Sequence, residues 1–360
     1  MWIKSLAVKN CRLIRDIKID LSADINILYG NNASGKTSLL EAIYILSTGK
    51  SFRTHQIIDV ISHNKSGILV SGEIKNSSES SNYLGIEKSN KVTKIRINRK
   101  NVFSQAALSQ HLPVTVIHPS STHLITGGPS LRRSFIDWMA FYLFPDFQKK
   151  WKEYKHVLRQ RNICLKYSKH RFSLQKWTEE LVLYQPELIE FREKVLNIFR
   201  PLMITISKEL LINVDLDISL KSGFPIGTNL DIDSLLCFYR SKENYDLKVQ
   251  RTTAGVHVAD FSLTVNKIPV AKEASKGQLK LYTTALLLAQ SIAIQGSENR
   301  KSVILIDDLS SELDSENEEN LLRHLLGLNQ QIILTSISKD ISSSIESRMF
   351  HVKHGEYYQV

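Results

Sequence analysis

One octapeptide, Gly30-Asn31-Asn32-Ala33-Ser34-Gly35-Lys36-Thr37, narrows what this chain can fold into more than any other stretch. It fits Gly-x-x-x-x-Gly-Lys-Ser/Thr, and its flanks agree with it. Ile25–Tyr29 ahead of it is apolar enough for a buried strand. Behind it Leu39, Leu40, Ile43 and Leu46 recur at helical steps. A strand that turns through glycines into a helix makes an anion cradle. Successive backbone N–H groups face the anion, and the helix adds its positive end. In this reading all eight residues, Gly30, Asn31, Asn32, Ala33, Ser34, Gly35, Lys36 and Thr37, bind the cofactor. Lys36 reaches the β- and γ-phosphates and counts as catalytic, and the Thr37 hydroxyl ligates Mg2+. The plain alternative is a glycine turn capping a structural helix. No Asn-Lys-x-Asp guanine motif follows, so ATP is the expected nucleotide.

Val303-Ile304-Leu305-Ile306 ends in two acids, Asp307 and Asp308. A buried strand of this kind delivers the first carboxylate, Asp307, to the magnesium, and its neighbour Asp308 can polarise an attacking water. Two adjacent carboxylates repel, and a divalent cation offsets that repulsion. Ala274-Ser275-Lys276-Gly277-Gln278 precedes a helical pattern and resembles the ABC signature. There Ser275, Gly277 and Gln278 would meet the γ-phosphate of ATP held by a partner subunit. A plain helix cap, with Ser275 capping, is the other reading. Ser311-Glu312-Leu313-Asp314 resembles the D-loop, and Ile332–Thr335 reads as a buried strand ending at the switch position. This order implies a composite site in which ATP bridges two copies and favours the dimer by mass action.

The remaining sequence fits that outline. Gly67–Lys75, Tyr83–Glu87 and Lys94–Ile97 alternate like antiparallel strands, and Asn76–Asn82 reads as a hairpin loop. From Arg132 to Arg200 the pattern is helical. Leu181, Tyr184, Leu188, Phe191, Val195 and Ile198 form a seam, and Pro201 is expected to end that helix. The expected fold class is α/β: an ABC/SMC-head-like P-loop ATPase domain, 1–125 and 215–360, with a mainly helical insertion at 126–214. Three scattered cysteines fit no disulfide or zinc spacing, and no run is apolar enough for a signal peptide or a membrane span. A cytoplasmic location is expected.

The formal net charge is +11. Between Pro145 and Trp177 ten Lys or Arg stand against two acids, Asp146 and Glu153, a net +8. Lys149, Lys150, Lys152, Lys155, Arg159 and Arg161 are therefore candidate contacts to DNA phosphates, independent of sequence and sensitive to salt. Simple solubility is the alternative. Trp151 and Tyr154 fall on the packing face by periodicity, so core is the favoured reading for them. Lys88, Lys91, Lys94, Arg96, Arg99 and Lys100 form a second basic strip.

Beyond the nucleotide motifs the chain resembles the RecF family of bacterial recombination mediators over essentially its full length. The matching stretches are Gly30–Thr37 with Leu40-Glu41-Ala42, Gly49-Lys50-Ser51-Phe52-Arg53, and Gly127-Gly128-Pro129 leading into Arg132–Trp138. Arg159-Gln160-Arg161-Asn162, Ala274–Lys280 and Leu305–Asp314 match as well. Asn10-Cys11-Arg12 resembles the family's Asn-Phe-Arg turn, which implies Arg12 as a cofactor contact. The resemblance implies an SMC-like ABC head with a helical second lobe. It also implies a weak, DNA-stimulated ATPase that dimerises with ATP, binds gapped or junction DNA, and works with RecO and RecR to load RecA, with a link to the SOS response. Two departures stand out. Gly255-Val256-His257-Val258-Ala259-Asp260 has valines where the family has proline and a basic residue. No Q-loop glutamine precedes the helical lobe, where His118-Pro119-Ser120 stands instead. Asp308, shorter than the glutamate of ABC transporters, points to slow hydrolysis, as in a switch.

Other functions share these parts. The ATPase subunit of a membrane transporter would carry the same nucleotide motifs, with an apolar groove for its membrane partner and no use for a +8 helical insertion. A non-catalytic DNA tether would not need the Asp307-Asp308 pair.

Overall fold

The computed structural model describes residues 1–76, 80–211, 215–295, 301–308, 315–339 and 346–360, with backbone alone for 211 and 315–317. The Ser311–Asp314 motif lies outside the described residues, as do 77–79 of the expected hairpin loop. The chain divides into two compact units. Unit 1 comprises Met1–Ser121, Ile206–Ile212 and Lys276–Val360; unit 2 comprises Thr122–Thr205 and Asn213–Ser275. Apart from the short stretch Ile206–Ile212, the return to the first unit therefore falls at Lys276 and differs from the 215 read from sequence. The reason is a small sheet. Leu216–Lys221 pairs antiparallel with Asp260–Val265, which also pairs with Ile268–Pro269. That sheet closes within unit 2 and holds the intervening helix Ile232–Val249 there.

Unit 1 is built on two six-stranded sheets. The first is antiparallel throughout and runs Ile14–Asp20, Trp2–Cys11, Gly67–Lys75, Ser81–Ser89, Thr93–Ile97, Lys100–Val102. The second runs Glu356–Gln359, Arg348–Lys353, Ile25–Tyr29, Ile332–Ser336, Val303–Ile306, Val114–Ile117. Its pairs are parallel except for the terminal hairpin at Arg348–Gln359. Val303–Ile306 and Ile332–Ser336 are buried at every residue, which is why Val303–Ile306 and Ile332–Leu334 read as apolar runs. The helix Lys36–Thr48 packs against strands of both sheets. Leu39, Leu40, Ile43, Ile45 and Leu46 are all fully buried, as befits a helix apolar on most of its circumference. The buried Gln331 side chain ties the sheets. It donates to the carbonyls of Ile3 (2.9 Å) and Ser22 (2.6 Å) and accepts from Ile3 N–H (2.8 Å).

Unit 2 holds the helices Pro129–Leu143 and Phe147–Lys166 and most of Leu174–Leu211. The last helix runs through both Pro186 and Pro201, so Pro201 does not end it. A proline inside a helix removes one hydrogen bond. Here the buried row Phe199, Met203, Ile206 and Leu210 continues past it and offsets that loss. The seam also differs from the one expected. Leu181, Leu188 and Val195 are buried, but Ile198 is 40% exposed. The buried face passes instead through Val182, Gln185, Ile189, Arg192, Leu196 and Phe199. Two polar residues sit in that face, so a reading confined to apolar positions drifts off it.

Candidate nucleotide-binding site

The loop between Ile25–Tyr29 and Lys36–Thr48 is shaped by glycines at two points. Gly30 has φ +150°, and a Cβ there would run into the Val352 carbonyl. Gly35 has φ +115°, with Gly355 Cα only 3.2 Å from where a Cβ would lie. Ala33 also takes a left-handed conformation, φ 60°. The terminal hairpin holds the loop from behind. Gly355 N–H donates to Ser34 O (2.8 Å), and the buried Tyr357 hydroxyl donates to Gly35 O (2.7 Å). Gly355 packs in turn on the Leu13 carbonyl, next to Arg12. Nothing in the sequence marks this hairpin; its role follows from Arg348–Lys353 pairing with the strand that feeds the loop.

Three oxygens meet beneath the loop. The Thr37 hydroxyl donates to Asp307 Oδ1 at 2.8 Å and the Thr335 hydroxyl to the same oxygen at 3.0 Å. Asp308 N–H donates to the Thr335 hydroxyl at 2.8 Å, with Asp308 itself at φ 60°. Parallel pairing explains the meeting. The strand before the loop and the acidic strand both flank Ile332–Ser336, so their ends lie at one level. Burial pushes the Asp307 carboxyl up, opposed by its two threonine bonds and the nearby Arg53 charge. Burial likewise lowers the Lys36 ammonium, opposed by Asp308 and Asp307. Lys36 Nζ donates to the carbonyls of Gly30 and Asn31, the latter at 2.9 Å.

These residues fit a nucleotide with Mg2+. The Ser34 hydroxyl is buried and has no hydrogen-bond partner in the protein, a polar atom facing an anion cradle. Asp307 and Thr37 offer two hard oxygens, the donor count Mg2+ takes when phosphate and water complete its octahedron. Among the described residues no cluster of three His, Cys, Asp or Glu could hold a metal unaided.

Arg12 is held by the same helix. It makes a two-pronged pair with the fully buried Glu41 (2.9 and 3.0 Å) and also bonds the Asp59 carbonyl. Ser51 donates to Glu41 too. Glu41 and Ser51 thus hold Arg12, and Arg53 lies near Asp307, none of them singled out for a role; each lies in a stretch shared with the family. His118 follows Val114–Ile117, whose Ile117 O accepts from Asp307 N–H at 2.8 Å. The Ser275–Gln278 turn is exposed, and the division between the units falls between Ser275 and Lys276. Nothing lies within 4 Å of a Cβ placed on Gly277. Gly277 is therefore not an internal close approach.

The candidate DNA contacts separate into two groups. Lys149, Lys152, Lys155 and Arg159 are exposed on the helix Phe147–Lys166. Arg161 is not available: it is fully buried and donates to Asp246 (2.9 Å), Thr252 (2.7 Å) and Thr178 (2.9 Å). Its place four residues after Val157 and three before Cys164, both buried, turns it inward. Lys150 pairs with Glu187 at 2.6 Å. In the second strip, Lys88 turns back to the Gly49 carbonyl and Lys94 pairs with Glu87.

The departing segment at 255–260 is structural. Gly255, φ +124°, leaves no room for a Cβ beside Gln185 Oε1 and Tyr239 Oη. Val256 O accepts from Arg192 (2.6 Å), His257 Nδ1 bonds the Tyr154 hydroxyl (2.6 Å), and Asp260 pairs with Arg132 (2.6 and 3.0 Å). Val258, where the family has a basic residue, is exposed.

Comparison with known proteins agrees with this geometry. The family description "RecF/RecN/SMC N terminal domain" matches residues 2–357. The DNA replication and repair protein RecF of Psychromonas ingrahamii is 36% identical, covering 99% of both chains. That of Shewanella oneidensis is 34% identical, covering 99% of this chain and 98% of its own. A structure of the recombination mediator RecF with ATP, from the RecFOR pathway, superposes with TM-score 0.89 at 25% identity over 100% of this chain and 97% of that one. The SMC head of Pyrococcus furiosus, TM-score 0.61 at 15% identity over 100% and 96%, shares the fold. The chain belongs to the RecF family, on the SMC-head type of P-loop fold.

Proposed function

We propose that this chain is an ATP-dependent DNA-binding protein of recombinational repair, whose ATP-bound copies pair and whose slow ATPase releases them. The observation that carries the reading is the meeting of Thr37, Thr335 and Asp307 beneath a loop with an orphaned Ser34 hydroxyl. Thr37 and Asp307 would hold Mg2+, which supplies charge neutralisation to the triphosphate when bound. Lys36 places a cation at the loop, and the N–H groups of Gly30–Thr37 orient phosphate oxygens. Thr335 positions Asp307 and, through Asp308 N–H, the second acid. Asp308 then accepts a proton from the attacking water, and its short reach keeps turnover slow. Arg12, fixed by Glu41, adds positive charge beside the loop.

Ser275, Gly277 and Gln278 would complete the site of a second copy. The open space over Gly277 supports this, because a partner's triphosphate could approach the backbone there. Lys149, Lys152, Lys155 and Arg159 form the DNA-facing part, reading phosphates and no base sequence. Cooperation with RecR and RecO in loading RecA at gaps, the SOS connection and a cytoplasmic location rest on the family. No described helix is long and apolar enough to cross a membrane.

Light scattering in ATP with Mg2+ tests the pairing. The 41.1 kDa chain should double in mass with ATP, but not with ADP. Lys36→Ala should bind no ATP and stay single. A wild-type protein that binds ATP and remains single at micromolar concentration overturns the clamp.

A further inference from the structure

The hairpin joining Phe147–Lys166 to Leu174–Leu211 carries exposed aromatic rings at its tip. Phe172 is 85% exposed and Tyr167 47% exposed. This contrasts with the other aromatics of the same basic stretch: Tyr154 is fully buried, and Trp151 and Trp177 are partly covered. A phenylalanine this exposed buries little apolar area in the fold and loses free energy in water. Yet the tip is firmly based. Cys164, Leu165 and Leu174 form a buried cluster against which Trp177 and Leu247 pack, so both arms of the hairpin are anchored.

The surroundings are cationic. Lys166, Lys169 and Arg171 are exposed in the tip itself, and Lys166 Nζ lies 5.3 Å from the Tyr167 ring centre. A cleft of about 560 Å³ opens beside it, lined by Lys155, Arg159, Lys166, Tyr167 and Arg251 over an apolar floor of Leu158 and Ile163. No carboxylate lines this cleft. Lys152, Lys155, Arg159 and Lys166 follow one another at steps of three, four and seven residues, so a single helix face leads to the tip. A row of cations ending in displayed rings suits one ligand above others. Phosphodiesters follow the cations, and an unpaired base lies on a ring. A blunt duplex keeps its bases stacked and cannot use the rings.

We propose that Tyr167 and Phe172, with the cleft of Lys155, Arg159, Lys166 and Arg251, form a stacking site for an unpaired nucleobase of bound DNA. The proposal rests on the DNA reading of the basic helix. Its consequence is that the hairpin tip separates single-stranded from duplex DNA, while the helix face grips either.

Fluorescence anisotropy at moderate salt tests it, with full-length protein and three DNAs: a blunt duplex, the same duplex with a single-stranded overhang, and that overhang made abasic. The wild type should prefer the base-bearing overhang. Tyr167→Ala with Phe172→Ala should weaken that DNA by about 5- to 30-fold, with blunt duplex unchanged. The abasic overhang should bind the wild type and the variant alike. Circular dichroism on both proteins checks that the hairpin stays folded. Equal binding of base-bearing and abasic overhangs by the wild type overturns the stacking site. So does an equal loss on all three DNAs in the folded variant. A variant that binds every DNA as the wild type does, but loses a polyglutamate peptide, assigns the tip to an acidic protein partner and overturns it too. Failure of the wild type to bind any of the three at low salt is a different result, the collapse of the DNA reading itself.

Discussion

The loop end of unit 1 and the polar centre of unit 2 both carry family motifs, and they use them in opposite ways. In unit 2 the motif residues are consumed internally. Arg161 and Arg132 spend their donors on Asp246 and Asp260, with Thr252 and Gly127 O taking further ones, and Asp137 of the Arg132–Trp138 stretch is taken up by Arg192. At the phosphate loop the opposite holds. Ser34 Oγ has no partner, Lys36 rests on loop carbonyls, and half-buried Asp307 is bonded by hydroxyls and, among the described residues, by no cation. A motif residue whose bonding capacity is filled within the chain reports on folding. One left short of partners in a buried place reports on a ligand.

Arg161→Ala breaks this comparison most directly. It strands Asp246, 1% exposed, without its cation, and removal of one partner of a buried pair costs about 3–5 kcal/mol. Urea unfolding should register that loss, and Arg161→Met with Asp246→Leu should recover part of it, since Asp246 also accepts from Thr253 N–H (3.2 Å) and its hydroxyl (2.6 Å). DNA affinity of the protein that remains folded should be unchanged. A variant of undiminished stability that binds DNA ten-fold more weakly would return Arg161 to the surface contacts and dissolve the contrast.

Composition alone could not separate Arg161 from Arg159. Both sit in one basic run, and only the rotation of the helix decides which enters the core. That rotation was partly legible, since Phe147, Trp151, Tyr154 and Leu158 mark the packing face. Gln185 and Arg192 in the facing helix were not, because buried polar residues carry no apolar period. The nucleotide loop and the acidic strand were legible for a physical reason: φ-positive glycines and a both-face-buried strand leave few alternative residues. Thr335, one residue before the end of its strand, follows an apolar run of the same kind. The part played by Gly355 and Tyr357 was invisible, because it depends on a terminal hairpin folding back over a loop 322 residues earlier in the chain.

Tyr357→Phe sharpens the comparison from the other side. Its hydroxyl donates to the Gly35 carbonyl, and burial pushes the phenol far up, so it stays a donor at any working pH. Losing a neutral hydrogen bond of this kind costs about 0.5–1.5 kcal/mol. Because it positions the loop and touches no phosphate, the loss should appear as ATP affinity reduced roughly 2- to 10-fold with hydrolysis per bound ATP unchanged. Calorimetric titration measures the first and single-turnover assay the second. Unchanged affinity would make the hairpin a passive cover.

The smallest effect concerns stability against binding at Asp307. Its folded carboxyl is raised by burial above the 3.8 of a free one, so the ionised form destabilises the nucleotide-free protein. That cost is fully present above the raised value and fades as pH falls toward 3.8. Asn at this position keeps an oxygen for Thr37 and Thr335 but carries no charge. Without nucleotide, Asp307→Asn should therefore raise Tm at neutral pH, by roughly 1–3 °C, with the gain shrinking as the buffer is made acidic. With ATP and Mg2+ the order should reverse, since the wild type gains ligand stabilisation that the variant lacks. Such a crossing would mark a residue whose burial costs stability in the free protein and is offset only on binding. A variant less stable than the wild type in both conditions would place Asp307 with the paired residues of unit 2, as a strut of the fold.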